Sequence, residues 1–133
     1  MNLVRVCVAL GCLVVASPAA AQVVRVSVST AGIQANGPSD SPSISGDGRY
    51  VVFASAAGNL VAGDTNGLPD IFLRDRDTDA DGLFDEAGAV ATTRLNLGPG
   101  GVQANNFSYA PTMTADGATC ASSRRRRTSP RRR

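Results

Sequence analysis

From Arg25 onward the sequence comes round again 69 positions later, with no gap needed to match it. Arg25-Val26-Ser27-Val28, Gly32-Ile33-Gln34-Ala35-Asn36, Ser39, Pro42, Ser45, Asp47 and Gly48 are answered in order by Arg94-Leu95-Asn96-Leu97, Gly101-Val102-Gln103-Ala104-Asn105, Ser108, Pro111, Thr114, Asp116 and Gly117. A self-match at fixed period means that one supersecondary unit is used twice, and such units hide their apolar faces by stacking on one another. The second copy departs after Asp116-Gly117. Where the first has Arg49-Tyr50-Val51-Val52-Phe53, the second has Ala118-Thr119-Cys120-Ala121-Ser122 and then runs into arginines. The chain reads as a piece of a longer repeat protein.

The residues ahead of the repeat do not belong to it. Residues 1–21 hold Arg5, an apolar run from Val6 to Ala16 and the small-residue exit Pro18-Ala19-Ala20-Ala21. This is the layout of a secretory signal peptide cleaved after Ala21, and the run falls short of the roughly 20 apolar residues of a spanning helix. The mature protein is therefore expected to be exported, to the periplasm or the outside of the cell, with no membrane span. Cleavage removes Cys7 and Cys12 and leaves Cys120 alone, so no internal disulfide staples the fold. The chain has no histidine, which excludes imidazole-based triads and the usual zinc sites. All 13 basic residues are arginine, and seven lie in the last ten positions; the other six face eleven acids, so the rest of the chain carries −5. No nucleic-acid footprint is expected outside the tail, and the expected partner is an unidentified protein or envelope component.

Period-two alternation dominates the mature chain and predicts an all-β fold. Strands are expected at Val24–Val28, Ser43–Ser45, Tyr50–Ser55, Asp70–Asp75, Thr93–Leu97 and Thr112–Thr114. Gly46-Asp47-Gly48 between two of them is a strong hairpin signal, because glycine accepts the positive φ of a tight turn. Four antiparallel strands make one propeller blade. The expected architecture over residues 22–117 is thus one complete blade with flanking strands, antiparallel and too short to close a ring. A small independent sheet, or part of a sandwich, is the other arrangement these strands allow.

Pro42-Ser43-Ile44-Ser45-Gly46-Asp47-Gly48-Arg49-Tyr50-Val51-Val52-Phe53 resembles the TolB-like β-propeller repeat of exported bacterial proteins, as do Asn59-Leu60-Val61, Gly63-Asp64-Thr65-Asn66-Gly67 and Asp70-Ile71-Phe72-Leu73-Arg74-Asp75. The resemblance covers residues 25–117. It implies a propeller fold outside the cytoplasm and a scaffold or binding role, not a reaction. It also leaves open a propeller cut from an exported hydrolase or peptidase, although no Gly-x-Ser-x-Gly elbow is present. The sequence departs from the family in the insertion at residues 77–91 and in the strand after Gly117.

That insertion carries the only site chemistry, within an Asp-rich loop at residues 75–88. Asp77-Thr78-Asp79-Ala80-Asp81-Gly82 sets carboxylates at alternate positions ahead of a turning glycine, the first half of a calcium loop. Asp77, Asp79 and Asp81 would give side-chain oxygens, Leu83 its backbone carbonyl, and Asp85 an oxygen directly or through water. The twelfth position, where such loops close with a bidentate Glu, is Gly88, and Glu86 comes two residues early. The loop resembles the aspartate-rich repeats of the thrombospondin type 3 sort, and a lone incomplete copy would hold calcium weakly, at about 10⁻⁴ to 10⁻³ M. The alternative is a polar loop whose aspartates cap their own turn amides. Asp64 and Asn66 read as an Asx turn with Gly67 at positive φ, and Asp70 as a tie to the strand start.

Residues 118–133 form an Arg-rich tail. Restoring one base before Ala118 turns Ala-Thr-Cys into Arg-Tyr-Val, the residues that follow the Asp-Gly turn in the first copy, so the tail reads as out of frame and without structure. The other reading is a small free-standing calcium module with a basic tail.

Overall fold

The computed structural model describes residues 23–123. Residues 1–22, which hold the expected signal peptide, and the arginine run at 124–133 lie outside the described residues. Within them the chain is all-β, with strands β1 (Ser39–Ile44), β2 (Tyr50–Ser55), β3 (Asp70–Asp75), β4 (Ala91–Arg94), β5 (Ser108–Met113) and β6 (Thr119–Ser123), plus one short 3-10 turn at Pro99–Gly101. β1 to β4 form an open antiparallel sheet in sequence order, and β5 pairs with β6 in a separate hairpin. No helix among the described residues is long and apolar enough to cross a membrane.

The 69-residue period is written into the backbone. Val28 bridges Gln34, and Leu97 bridges Gln103. The enclosed turns share their hydrogen bonds: Ser29 N donates to Ile33 O at 2.8 Å, as Gly98 N does to Val102 O at 2.8 Å. Ser41 and Ala110, also 69 apart, take left-handed φ of 50° and 54° at the same β-bulge, one residue ahead of Pro42 and Pro111. Proline is confined to strand edges and bulges because it cannot donate to the ladder. The bulge lets β1 and β5 begin before their prolines, four residues earlier than the alternation suggested.

The two faces of the sheet follow from the pairing. Phe53 lies opposite Phe72 and Ala54 opposite Ile71, so alternate residues of β2 and β3 separate into two sets. On one face Phe53 and Phe72 stack with centroids 5.9 Å apart and join Ala57 and Leu60, packed by Ala35 and Val61. On the other, Val52, Ala54 and Ile71 are covered by Leu73, Leu95 and Met113 of β5. Burying each large side chain completely, as for Phe72, Ile71, Leu60 and Val52, contributes about 1.5–3 kcal/mol. Both faces are thus occupied, one by the segment before β1 and the β2–β3 loop, the other by the hairpin.

Three expectations need correction. Val24–Val28 forms no strand; only Val28 is bridged, and the adjoining edge of β4 is stitched by side chains, with Thr92 N donating to Thr30 Oγ1 and Thr92 Oγ1 to Val28 O. β4 ends at Arg94 instead of Leu97, because Asn96 offers Ile71 N its side-chain Oδ1 at 3.0 Å where the ladder would have used a carbonyl. The repeat does not stop at Gly117 either: Thr119–Ser123 continue the hairpin as β6. Main-chain pairing with β5 does not depend on the lost Arg-Tyr-Val side chains. The second turn is nonetheless one residue tighter, since Ser45 N donates to Tyr50 O while Thr114 N donates to Ala118 O, the counterpart of Arg49.

Candidate metal centre

The long β3–β4 connection folds back on the β1–β2 turn and is anchored by arginines. Arg49 grips the end of β3 through a two-pronged ion pair with Asp75, Nε to Oδ1 at 2.9 Å and Nη2 to Oδ2 at 3.0 Å. The guanidinium holds the Asp75 carboxyl below the usual carboxylate range. Arg76 donates from Nη1 to Gly48 O at 2.8 Å and from Nη2 to Asp85 Oδ2 at 2.6 Å, and its guanidinium lies over the Phe84 ring at 4.9 Å. Asp85 N closes the loop onto Arg76 O at 2.8 Å.

Inside this frame Asp77 is buried and spends both oxygens on its own turn, Oδ1 accepting from Asp81 N at 3.1 Å and Oδ2 from Gly82 N at 3.0 Å. Asp81 Oδ1 accepts from Leu83 N at 2.8 Å. The capping expected of aspartates in a polar loop is therefore present. These caps turn the chain so that carboxylate oxygens of Asp77, Asp79 and Asp81 lie within 4.8 Å of one another, a group that could hold a metal ion. Asp79 and Asp81 are exposed. Desolvation, then contact with the Asp77 carboxyl and the charge of Asp81, push the Asp79 carboxyl up. Desolvation and the three aspartates push Glu86 up as well.

The structure gathers the first three of the six expected ligands and does not bring Asp85 or Glu86 into the group. Leu83, expected to offer its carbonyl, is tied to the cluster through its amide on Asp81. Asp85 has one oxygen committed to Arg76, and Glu86 stands outside the 4.8 Å group. The chemistry of the three gathered residues is that of hard oxygen donors, which suits calcium or magnesium and not a soft metal.

The second acidic stretch serves structure. Asn66 Oδ1 accepts from Leu68 N at 2.9 Å, closing the expected Asx turn with Gly67 at φ 65°. Asp64 and Asp70 flank Arg94 at 3.4 and 3.2 Å. Asp70 is fully buried and also accepts from Asn96 Nδ2 at 2.6 Å. Burial pushes the Asp64 carboxyl up. The same loop clasps the second copy: Asn66 Nδ2 donates to Ala104 O at 3.0 Å and Gln103 Nε2 to Gly63 O at 2.9 Å.

Sequence reading missed the arginines that organise both loops. Arg74 and Arg94 lie on the face that carries Phe72, as their pairing partners show. A charged residue in phase with a core phenylalanine was the available signal. No family model, curated protein or solved structure matches this chain.

Proposed function

We propose that this chain is an exported, non-catalytic scaffold of β-propeller-type repeats, in which a weakly bound calcium ion fixes the long β3–β4 loop. The observation that carries the scaffold reading is the way the second copy rebuilds the bridge, bulge and hairpin of the first and lays β5 against its sheet. Repeat units that stack face to face build binding surfaces from their loops. Support for calcium comes from three oxygen donors converging on one point in a loop already held in shape by Arg49 and Arg76. Asp79 presses against the Asp77 carboxyl, and a divalent cation between them relieves that repulsion. Leu83 O and water would complete the six to eight oxygens calcium takes.

The test is a thermal melt of the full chain in EDTA and across millimolar calcium. An ion held at ten times its Kd stabilises by about 1.4 kcal/mol, which raises Tm by roughly 5–10 °C for a domain of this size. Asp79→Asn should abolish the calcium shift and leave the EDTA melt unchanged, because Asp79 is exposed. Asp77→Ala should lower the melt in EDTA too, since it removes the side chain that caps the amides of Asp81 and Gly82. Calcium takes the ionised carboxylates, and Asp79 holds its proton to higher pH than an ordinary aspartate. The shift should therefore fade, as pH falls, before the ordinary carboxylate range of about 4 is reached. A melt indifferent to calcium at neutral pH sinks the calcium reading.

A further inference from the structure

The sequence holds two Asn-Gly pairs, Asn36-Gly37 and Asn66-Gly67, and the fold treats them differently. Asn66 is tied at both polar atoms of its side chain, Nδ2 donating to Ala104 O at 3.0 Å and Oδ1 accepting from Leu68 N at 2.9 Å. Asn36 is exposed, and among the described residues no hydrogen bond holds its side-chain amide; only its main-chain N is held, donating to Asn59 Oδ1 at 3.0 Å. Glycine at 37 is required by packing, since a Cβ there would lie 2.8 Å from Ala56 O. The second copy carries Asn105, equally exposed at the place of Asn36, and follows it with Asn106 instead of glycine.

We propose that Asn36 is a modification site at which the chain deamidates spontaneously to aspartate and isoaspartate, while the fold protects Asn66. The Gly37 nitrogen gives its proton to hydroxide and attacks Asn36 Cγ; the Cγ–Nδ2 bond breaks, and Nδ2 leaves as ammonia with a proton from water. Glycine favours the attack because no side chain shields its nitrogen and its backbone turns freely. Water then opens the five-membered imide. Breaking the new N–Cγ bond leaves aspartate, and breaking the original peptide bond leaves isoaspartate, with one more methylene in the main chain. Either product adds a negative charge. Isoaspartate also lengthens the backbone between two fixed points, the contact of Ala35 with the Phe53–Phe72 cluster and the close fit of Gly37 on Ala56. The change therefore loosens the segment that covers one face of the sheet.

The test is to incubate the full chain at mildly alkaline pH, with and without guanidinium chloride, and to follow it by peptide mapping. Cleavage after arginine puts Asn36 and Asn66 on separate peptides, residues 26–49 and 50–74, and the mass gain of amide to acid is read on each. The Asp-Gly pairs isomerise without a change of mass and do not interfere. In the folded chain Asn36 should convert at least about tenfold faster than Asn66, a difference of about 1.4 kcal/mol that two ordinary hydrogen bonds can supply. In denaturant the two should convert at the same rate. Asn105 should lag behind Asn36 in both conditions, because its neighbour is not glycine. Ageing should also lower the Tm of the native chain more than that of Asn36→Gln, which lacks the reactive pair. The proposal is overturned if Asn36 and Asn66 convert equally fast in the folded chain, if the gap between them survives denaturant, if Asn105 keeps pace with Asn36, or if ageing lowers the Tm of both chains alike.

Discussion

Gly48 closes the first hairpin at φ 80°, and a Cβ placed there would lie 3.4 Å from Cε2 of Phe84. The left-handed backbone and the ring of the long loop thus make demands on the same atom. Left-handed conformation costs a non-glycine residue about 1–2 kcal/mol, so Gly48→Ala should lower urea stability by about that much. Gly58→Ala is the control: its φ is not left-handed and the nearest atom to its Cβ is 3.8 Å away, so the change should stay within about 0.5 kcal/mol. Equal losses at the two sites would refute the account. The Asp47-Gly48 turn was legible in the sequence because its chemistry is local: Asp47 Oδ1 accepts from Arg49 N at 3.0 Å and Ser45 Oγ at 2.6 Å. Arg74 was not, since the atoms that define it, Thr92 Oγ1 and Ser29 O, lie 18 and 45 positions away.

Among the elements, β2 and β3 were readable to the residue, because each is a run of apolar and β-branched side chains bounded by turn residues. The edges were less readable. β1 and β5 carry a proline in a bulge, and β4 gives up its last ladder position to an asparagine side chain. In the long loop the spacing of Asp77, Asp79 and Asp81 foretold a cluster, and nothing in that spacing disclosed that Asp85 would be drawn off by Arg76. This loop is an addition to the β3–β4 hairpin, whose ladder extends to Thr78 N donating to Ala89 O at 2.9 Å. Replacing residues 79–88 by Asn-Gly, a pair suited to a two-residue turn, should therefore keep the four-stranded sheet while removing the calcium response. Circular dichroism and a melt with and without calcium check both halves. A variant that loses the sheet would mean that the loop and its Arg76–Asp85 pair hold β3 and β4 together.

At the scale of the whole molecule the repeat makes two residues look alike and the fold sets them apart. Ile44 and Met113 occupy the same position in their copies, each the last residue of its strand. Met113 packs on Val52, Ala54 and Ile71 of the first copy, and its N donates to Ser43 Oγ at 3.1 Å; Ile44 is 54% exposed. Stacking of one copy on the other is what distinguishes them, so their substitution measures it. Met113→Glu places a carboxylate against the apolar cluster without a partner, which should cost on the order of 2 kcal/mol. Because the hairpin meets the sheet through few polar ties, notably Gly46 N to Ala115 O and Ser108 N to Pro69 O, the loss should fall on the hairpin first. Hydrogen exchange should then show the amides of β5 and β6 losing protection while those of β2 and β3 keep theirs. Ile44→Glu should alter neither. If both substitutions loosen the chain equally, the two copies do not stack in solution as they do here. If Met113→Glu melts sheet and hairpin together, the two are one cooperative unit, and the first copy cannot hold its apolar face without the second.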